Sequence, residues 1–506
     1  MSDRDPVFAA LDYGTGGGKC ALFDARGRCL AVERAPWTYR DEPFEMAGLT
    51  RGYSFDPDHF WSLLARCARS ALAQAGVPAS AVRGVSTTAQ RLGTVFLDAA
   101  GREVYAGPNM DGRGFSGALE IMGKLDVARA VAISGHWPPF VSSLARLLVH
   151  RSQADRPAIA TVLTLTDWLA YRLTGELVSE PSNAGESLFL EVPGRCWSRE
   201  TLDLFEVDDR LLPPVVEPGT RIGGVTGAAA AATGFAAGTP VFAGGADTQC
   251  ALLGSDVVAP GHAGAVLGTT TPVMAVTDAP VIDGSGRLWT GCHVVRDRWT
   301  LESNGGDTGI AYQWLLDLVG FTDDGGFARA EDEIERLGDD PEPAFSALGP
   351  QIFDLMTFNP SQAVGFLFRM PTFTARPTRA TLLKAFQENV ACAVRGNVEQ
   401  IEALLGSQIR TLTLSGGMTR SPGLLRTFAR LLPRPLLVSE EPNATALGAA
   451  VLAAAGEGTH PSVADAASAM VRRRPLAPAA DDVRERYEAH YARWREIYDQ
   501  LRATSL

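Results

Sequence analysis

The stretch PVFAGGADTQCALLG, at positions 240–254, decides how the chain is read. A short apolar run meets Gly244 and Gly245, and a single carboxylate, Asp247, precedes the apolar positions of a helix. A strand, a glycine turn, an acid and a helix in this order hold a carboxylate at the carboxyl end of a sheet, where α/β proteins bind ligands. Two interpretations of Asp247 stay open here. Either it caps the helix by accepting backbone N–H bonds, or it also serves as a catalytic base.

The composition sets limits on the class of protein. The 506 residues are 46% hydrophobic and 21% charged, with a net charge of −12, which predicts a globular chain of two to four domains. The acidic balance argues against a nucleic-acid partner, because backbone binding needs a basic surface. Seven dispersed cysteines without a CxxC pair predict reduced thiols. Without a signal peptide or an apolar run of bilayer length, we expect a cytoplasmic protein with no membrane partner.

A glycine-rich hairpin opens the chain, and Asp12 stands at its entrance. The sequence YGTGGGKC follows, with Gly14, Thr15, Gly16 and Lys19. It fails as a P-loop because the first glycine and the final hydroxyl are missing, and it fails as a dinucleotide fingerprint because a strand follows the glycines. One interpretation is a tight hairpin that needs glycine only for positive φ. The other is a loop whose N–H groups face a phosphate while Asp12 holds a metal ion.

Polar residues gather in two later loops, as Gln90-Arg91 after a strand and as Asn109-x-Asp111-x-Arg113. Their many donors and acceptors suit a polyol pocket. The alternative is a solvated loop with an internal Arg–Asp pair, which contributes little to stability.

The second half repeats the pattern of the first. Gly268-Thr269 lies between two apolar runs, as the first glycine loop does, and this echo predicts duplicated domains that face each other across a cleft. Gly416-Gly417 then separates a strand from a helix that Ser421 caps, a turn that lets a flat base approach the backbone. Between these motifs the sequence predicts helices that begin after Asp56 and after Thr378. It also predicts a polar loop at 180–187, a linker-like tail at 456–478 and a docked helix at 482–501.

These motifs together, in this order and spacing, resemble the FGGY carbohydrate kinases of the actin/hexokinase/Hsp70 fold group over residues 6–456. LTGE at 173–176, PSNAG at 181–185 and ATALGAA at 444–450 add to the resemblance. It implies an α/β fold of two duplicated actin-like (ribonuclease H-like) ATPase domains with a central cleft. Residues 1–250 would form the sugar-binding N-terminal domain with the first phosphate loop, residues 251–478 the nucleotide-binding C-terminal domain, and residues 479–506 a C-terminal helix.

The resemblance also implies roles for individual residues, with ATP and Mg²⁺ as cofactors. Asp247 would take the proton from the attacking sugar hydroxyl, and Asp12 with Asp247 would organise Mg²⁺ through water. The remaining assignments are the phosphate loops (Gly14, Thr15, Gly16, Lys19, Gly268, Thr269), the nucleoside site (Gly416, Gly417, Ser421) and the substrate site (Gln90, Arg91, Asn109, Asp111).

The expected activity is phosphorylation of a terminal hydroxyl of a sugar, with a ketopentose such as xylulose or a related polyol first. The loop Asn109-x-Asp111-x-Arg113 and PSNAG look most like autoinducer-2 kinases, which gives a second candidate. Leu92 stands where those kinases and glycerol kinases carry a glutamate, so the sugar is not fixed. An alternative from another class is a non-catalytic actin-like ATP-binding sensor. The sequence leaves open a homodimer and any allosteric regulation.

Overall fold

The computed structural model describes residues 6–46, 50–137, 140–354, 362–370 and 376–504. Residues 1–5, where no targeting segment is expected, lie outside these ranges. The strands are β1 (Val7–Tyr13), β2 (Gly17–Asp24), β3 (Cys29–Pro36), β4 (Arg40–Met46), β5 (Thr50–Ser54), β6 (Val82–Ala89), β7 (Thr94–Leu97), β8 (Glu103–Gly107), β9 (Thr161–Thr164), β10 (Leu190–Glu191), β11 (Cys196–Trp197), β12 (Arg221–Gly224), β13 (Pro240–Ala246), β14 (His262–Val266), β15 (Thr270–Thr277), β16 (Trp289–Cys292), β17 (Trp299–Asp307), β18 (Phe345–Ser346), β19 (Phe366–Leu367), β20 (Thr411–Ser415), β21 (Leu436–Ser439) and β22 (Arg473–Pro475).

The helices are α1 (Pro57–Ala75), α2 (Phe115–Lys124), α3 (Val127–Ser134), α4 (Ser143–Ser152), α5 (Leu165–Thr174), α6 (Pro181–Ala184), α7 (Arg199–Leu204), α8 (Gly227–Thr233), α9 (Asp247–Leu253), α10 (Gly309–Leu318), α11 (Gly326–Glu335), α12 (Arg379–Leu405), α13 (Pro422–Leu431), α14 (Ala444–Gly456), α15 (Val463–Met470) and α16 (Asp481–Arg502). The chain divides into two units. Unit 1 comprises Met1–Ala259, Val276–Thr300 and Asn443–Arg472, and unit 2 comprises Pro260–Ala275, Leu301–Pro442 and Arg473–Leu506. No helix in the described part of the chain is both long enough and apolar enough to cross a membrane.

Unit 1 is built on a six-stranded sheet in the order β12-β13-β6-β1-β2-β3. Strands β1, β6 and β13 run parallel to one another, while β2 and β3 continue the sheet as antiparallel hairpins. The carboxyl ends of three neighbouring strands therefore meet at one edge, where Asp12 lies opposite Thr88. Gln90 follows β6 and Asp247 follows β13, so the topology brings the predicted site residues to one place.

Both faces of the sheet of unit 1 are covered by helices. Strand β1 is accordingly apolar at nearly every position, as is typical of a strand buried on both faces. Alternate residues of β1 enter two clusters, one with α1 and α5 and the other with α9 and α14. In the second cluster, the small residues of α14 let this helix pack closely on α9. A Cβ at Gly448 would lie 1.9 Å from the carbonyl oxygen of Cys250 in α9. The ATALGAA run thus serves close packing on α9.

Unit 2 repeats the plan of unit 1. Its sheet places β17, β15, β14, β20, β21 and β22 in order, with β14–β15 as an antiparallel hairpin and β14, β20 and β21 parallel. The predicted echo of the first hairpin is confirmed by this topology. Helix α12 begins with a capping box at Thr378 and ends at Gly406 in the left-handed conformation, and α16 buries Tyr487, Trp494 and Tyr498.

Two segments differ from the prediction. The expected polar loop at 180–187 is helix α6 followed by the 3-10 turn Gly185–Ser187, and its polar residues Glu180, Ser182 and Glu186 are buried. The expected tail at 456–478 contains α15 and β22, with Ala466 and Met470 in the core of unit 1. In both cases buried contacts order short segments whose local sequence carries no long periodic signal.

Candidate active site

Asp247 is the first residue of α9, directly after β13. Its carboxylate Oδ1 accepts a 2.7 Å hydrogen bond from the N–H of Thr248, its own neighbour. Ala246, not Asp247, occupies the cap position of the helix, and no side chain caps it. Asp247 therefore does not occupy the N-cap position, although one of its carboxylate oxygens accepts a bond from the first turn of the helix.

The backbone before Asp247 is held in place by close packing. A Cβ at Gly244 would lie 1.6 Å from the carbonyl oxygen of Thr87, so only glycine lets β13 approach β6 this closely. The hydroxyl of Ser182 accepts a 2.9 Å bond from the N–H of Ala246. Ser182 in turn donates 2.6 Å to Glu180. The buried segment 180–187 thus supports the turn that carries Asp247.

The surroundings of Asp247 favour its protonated form. Burial raises the pKa of this carboxyl to about 7, and the charge of Asp12 adds to the shift, against Arg91, which lowers it. Glu186 raises the pKa further. A carboxylate whose pKa lies near neutrality can both accept and release a proton under working conditions, which is what a general base requires.

Asp12 faces Lys19 across the β1–β2 hairpin, with 2.9 Å between the carboxylate oxygen and Nζ. Asp12 is also close enough to Asp247 to raise its pKa. Two carboxylates that repel each other at one sheet edge fit a divalent cation. In the described residues no group of three or more acidic, histidine or cysteine side chains forms a full metal shell.

The glycines of the first hairpin are not there for positive φ, because none of Gly14, Gly16, Gly17 and Gly18 has it. The interpretation of a hairpin that needs glycine only for φ is therefore wrong. Gly17 and Gly18 instead allow close packing, as a Cβ at Gly18 would lie 2.5 Å from the Trp37 ring. Gly16 has no neighbour within 4 Å of the Cβ position, so its side of the loop is open to a ligand.

Three predicted site residues form one hydrogen-bonded chain. Asn109 Nδ2 donates 3.0 Å to the Thr15 hydroxyl, which donates 2.8 Å to Gln90 Oε1. Gln90 Nε2 donates 3.1 Å to the Tyr39 hydroxyl. Asn109 Oδ1 is buried and has no hydrogen-bond partner in the structure. An unused acceptor beside an ordered donor–acceptor chain suits a hydroxyl of a ligand.

Asp111 is fully buried and its acceptor capacity is in use. Its carboxylate takes two bonds from the Arg113 side chain, at 2.8 and 2.9 Å, and one from the N–H of Tyr53 at 3.1 Å. It also accepts from the Tyr105 hydroxyl. Burial raises the pKa of Asp111, but Arg146 and Arg113 outweigh it and lower the pKa overall. The structure thus places Asp111 as the centre of the loop at 108–113 and not at an open surface.

Arg91 is joined by two residues that the sequence did not single out. Glu186 Oε1 lies 3.1 Å from Arg91 Nη1, and Glu186 Oε2 lies 3.4 Å from His136 Nε2. Burial alone would raise the pKa of Glu186, yet His136 and Arg91 hold it at about 2. The only sequence signal was PSNAG itself, since a glutamate directly follows this motif.

In unit 2, the turns at Gly268-Thr269 and Gly416-Gly417 are linked through Leu267. The N–H of Met418 donates 3.2 Å to the Leu267 carbonyl, and a Cβ at Gly416 would lie 2.5 Å from the same oxygen. Gly416 has a φ of 95°. The carbonyls of Gly268 and Thr269 accept from the start of α10. Two turns far apart in sequence thus form one glycine-lined patch.

Ser421 lies beneath this patch and is fully buried. Its hydroxyl caps α13 by accepting from the N–H of Leu424 at 3.0 Å. The same hydroxyl donates to Glu331 at 2.8 Å, and Gln387 Nε2 donates to Glu331 at 2.8 Å. The side chain of Ser421 therefore fixes the helix that follows Gly416-Gly417.

Two units of one plan, each with a β-hairpin continued by parallel strands and with glycine turns at the strand ends, define the class of actin-like phosphotransferases. The chain belongs to the FGGY family of carbohydrate kinases: residues 7–254 match the N-terminal domain of that family and residues 263–457 match its C-terminal domain. The predicted family, fold class and enzyme class are thereby confirmed. The protein is a sugar kinase, and kinases of this family use ATP as phosphate donor.

The relatives cover the chain almost completely. An autoinducer-2 kinase of Salmonella paratyphi A is 31% identical over 98% of this chain and 94% of its own. The crystal structure of xylulose kinase from Rhodospirillum rubrum superimposes with a TM-score of 0.81 at 25% identity, over 98% of this chain and 99% of that one. Gluconate kinase from Lactobacillus acidophilus shares the fold, with a TM-score of 0.83 at 14% identity and 99% of both chains covered.

Proposed function

We propose that the chain transfers the γ-phosphoryl group of ATP to a terminal hydroxyl of an open-chain sugar, with a ketopentose such as xylulose or a related polyol as the first candidate. The observation that carries this proposal is Asp247, a buried carboxylate that directly follows β13 at the sheet edge and whose pKa is raised to about 7. In this role Asp247 accepts the proton of the sugar hydroxyl as that oxygen attacks phosphorus.

The sugar would bind along the chain of Thr15, Gln90 and Asn109. The unused Oδ1 of Asn109 accepts from a sugar hydroxyl, and Arg91 donates to one. Asp111 contributes indirectly, because its bonds to Arg113 and Tyr53 keep the loop that carries Asn109 in position. Such positioning is the main contribution that a protein makes to phosphoryl transfer.

In unit 1, phosphate would contact backbone N–H groups of the first hairpin, at the open side of Gly16, together with Lys19. In unit 2, the Gly268-Thr269 turn is proposed as the second phosphate loop. The nucleoside would lie against Gly416 and Gly417, where no side chain obstructs a flat ring. Nothing lies within 4 Å of a Cβ at Gly417, which supports this placement. The buried Ser421 serves that surface by fixing α13.

Asp12 and Asp247 would hold Mg²⁺, with water between the ion and the protein. When bound, the ion neutralises charge on the phosphate oxygens. The contribution of the chain is to keep the two carboxylates at one sheet edge and to set Lys19 beside Asp12. We also propose a cytoplasmic location, on the basis of the reduced cysteines predicted from sequence.

Autoinducer-2 is the second candidate substrate. It is favoured by the autoinducer-2 kinases of Salmonella paratyphi A and Escherichia coli, which are 31% and 30% identical to the chain over nearly its full length. Autoinducer-2 in its open-chain form is also a small, uncharged polyhydroxy compound, so the same donors and acceptors would serve it.

An ADP-release assay over pentuloses, pentitols, glycerol and the autoinducer-2 precursor tests the proposal. We expect ADP release that depends on one of the ketopentoses, polyols or autoinducer-2, requires Mg²⁺ and yields a phosphate ester on a terminal carbon by NMR. Nucleotide binding without turnover on any sugar of the panel would contradict the proposal and favour an ATP-binding sensor.

A further inference from the structure

Glu186 is a buried carboxylate that touches the predicted substrate site through another residue. Its side chain is 2% exposed and lies between Arg91 and His136, at 3.1 and 3.4 Å. His136 Nδ1 lies 2.6 Å from the carbonyl oxygen of Ser134, so both ring nitrogens of His136 face acceptors. The contact of Glu186 with the predicted substrate site runs through the Arg91 guanidinium, which it fixes and neutralises.

Two cations at this sheet edge are matched by an acid of the protein itself. Lys19 pairs with Asp12 at 2.9 Å and Arg91 pairs with Glu186 at 3.1 Å. Arg113 is bound to Asp111 at 2.8 Å and lies deeper in the loop. Asp247 adds an acidic group at the same edge.

We infer that Glu186 is a positioning residue that makes the substrate site selective for uncharged sugars and polyols, by neutralising the Arg91 guanidinium that would otherwise bind the carboxylate of a sugar acid. This inference rests on the proposed function, because it places the sugar beside Arg91. It adds a specificity determinant that neither the motifs nor the relatives supply.

The physical reason is that a polyol and a sugar acid differ in the cost of leaving water and in the charged groups that they meet in the site. A polyol brings only hydroxyls, which Gln90, Arg91 and Asn109 can satisfy without any change of charge. A sugar acid brings a carboxylate that must leave water, and it would meet Asp247 and an arginine that already has its counter-ion. Selectivity of this kind comes from an unfavourable contact with the wrong ligand more than from a better contact with the right one.

The test compares xylitol and D-xylonate, two five-carbon open chains that differ by a terminal carboxylate. Their binding to the wild-type enzyme and to Glu186→Gln is measured by calorimetry, together with turnover on D-xylulose. We expect the wild type to bind xylitol at least about tenfold more tightly than xylonate, and Glu186→Gln to lose most of that ratio because the Arg91 guanidinium loses the counter-charge of Glu186. Glu186→Asp keeps the charge and should retain the selectivity.

Glu200→Gln is the matched control, since it breaks an exposed Arg–Glu pair with Arg129 far from the sheet edge. It should leave the xylitol-to-xylonate ratio unchanged. An unchanged ratio in Glu186→Gln, or equal loss in Glu186→Asp, would overturn the inference. If Glu186→Gln does not fold, the wild type still decides, because equal or tighter binding of xylonate contradicts it. A protein that binds neither probe and phosphorylates no sugar overturns the proposed function as well.

Discussion

At the scale of single residues, the chemistry of the site depends on which acidic side chains are buried away from water and on which charged groups lie beside them. Asp247 and Glu186 are both buried acids near one sheet edge, yet burial raises the pKa of Asp247 to about 7 while that of Glu186 is held at about 2. Glu186 stays ionised because it faces two cationic partners. The same chemical group therefore suits two roles here, the proposed proton acceptor at Asp247 and a counter-ion at Glu186, and the neighbours decide which.

The His136–Glu186 contact predicts a pH dependence of stability. Burial lowers the pKa of His136, but Glu186 and the Ser134 carbonyl outweigh it and raise the pKa above its ordinary 6.5. The stabilisation is therefore fully present below pH 6.5 and is lost as the pH rises through the raised pKa. Urea unfolding should show that His136→Gln costs more at pH 6 than at pH 8.5. The same substitution at the exposed His59 should show no such change, and equal costs of His136→Gln at both pH values would contradict the prediction.

At Gly244, the close packing of β13 against β6 leaves no room for a side chain. Gly244→Ala would place a methyl group 1.6 Å from a backbone oxygen, and it should lower the free energy of unfolding by at least about 3 kcal/mol. Gly123→Ala, on the surface of α2 with no neighbour within 4 Å, should instead stabilise by up to about 1 kcal/mol. Thermal and urea unfolding of both variants decide this, and a Gly244→Ala variant of wild-type stability would contradict the close approach of β13 and β6.

At the scale of secondary-structure elements, the sequence predicts the helix ends that are set by capping residues, proline and glycine. Helix α1 begins after Asp56, whose side chain caps it, carries Pro57 in its first turn and ends at Gly76 with a φ of 60°. Helix α12 has similar signals. The segment at 180–187 also begins with a capping acid, Glu180, and a proline, but its helix is only four residues long. Bonds of Ser182 and Asn183 to residues distant in sequence hold it in place.

The contribution of one docked helix to the free energy of unfolding can be measured at α16. Trp494 is buried, and its Nε1 donates 2.9 Å to Asn389 of α12. Trp494→Ala should cost about 3–5 kcal/mol of the free energy of unfolding, since it removes a large buried ring and leaves the Asn389 carbonyl without that donor. The exposed neighbour Arg493→Ala should change stability by less than about 0.5 kcal/mol. Urea unfolding that gives similar values for the two variants would contradict a docked α16.

At the scale of the whole molecule, the order of motifs was enough to predict the family and the fold class. Individual contacts were harder to predict, because they depend on strand order and register, which no local sequence pattern specifies. Asp12 and Lys19 are both in the first hairpin, but their ion pair depends on the β1–β2 register. Glu186 and Arg91 are ninety-five positions apart and meet only because the segment at 180–187 is buried beside the end of β6. Charge compensation of this kind is visible only in three dimensions.

The central claim is that Asp247 is the base of a sugar kinase, and one measurement tests it most directly. Sugar-dependent ADP release is compared between the wild type, Asp247→Asn and the exposed control Asp203→Asn, with nucleotide binding measured for each. We predict that Asp247→Asn lowers turnover by about a hundredfold or more while ATP still binds, because the hydroxyl loses its proton acceptor. Asp203→Asn should match the wild type. An Asp247→Asn enzyme that is folded, binds ATP and retains wild-type turnover would contradict the claim.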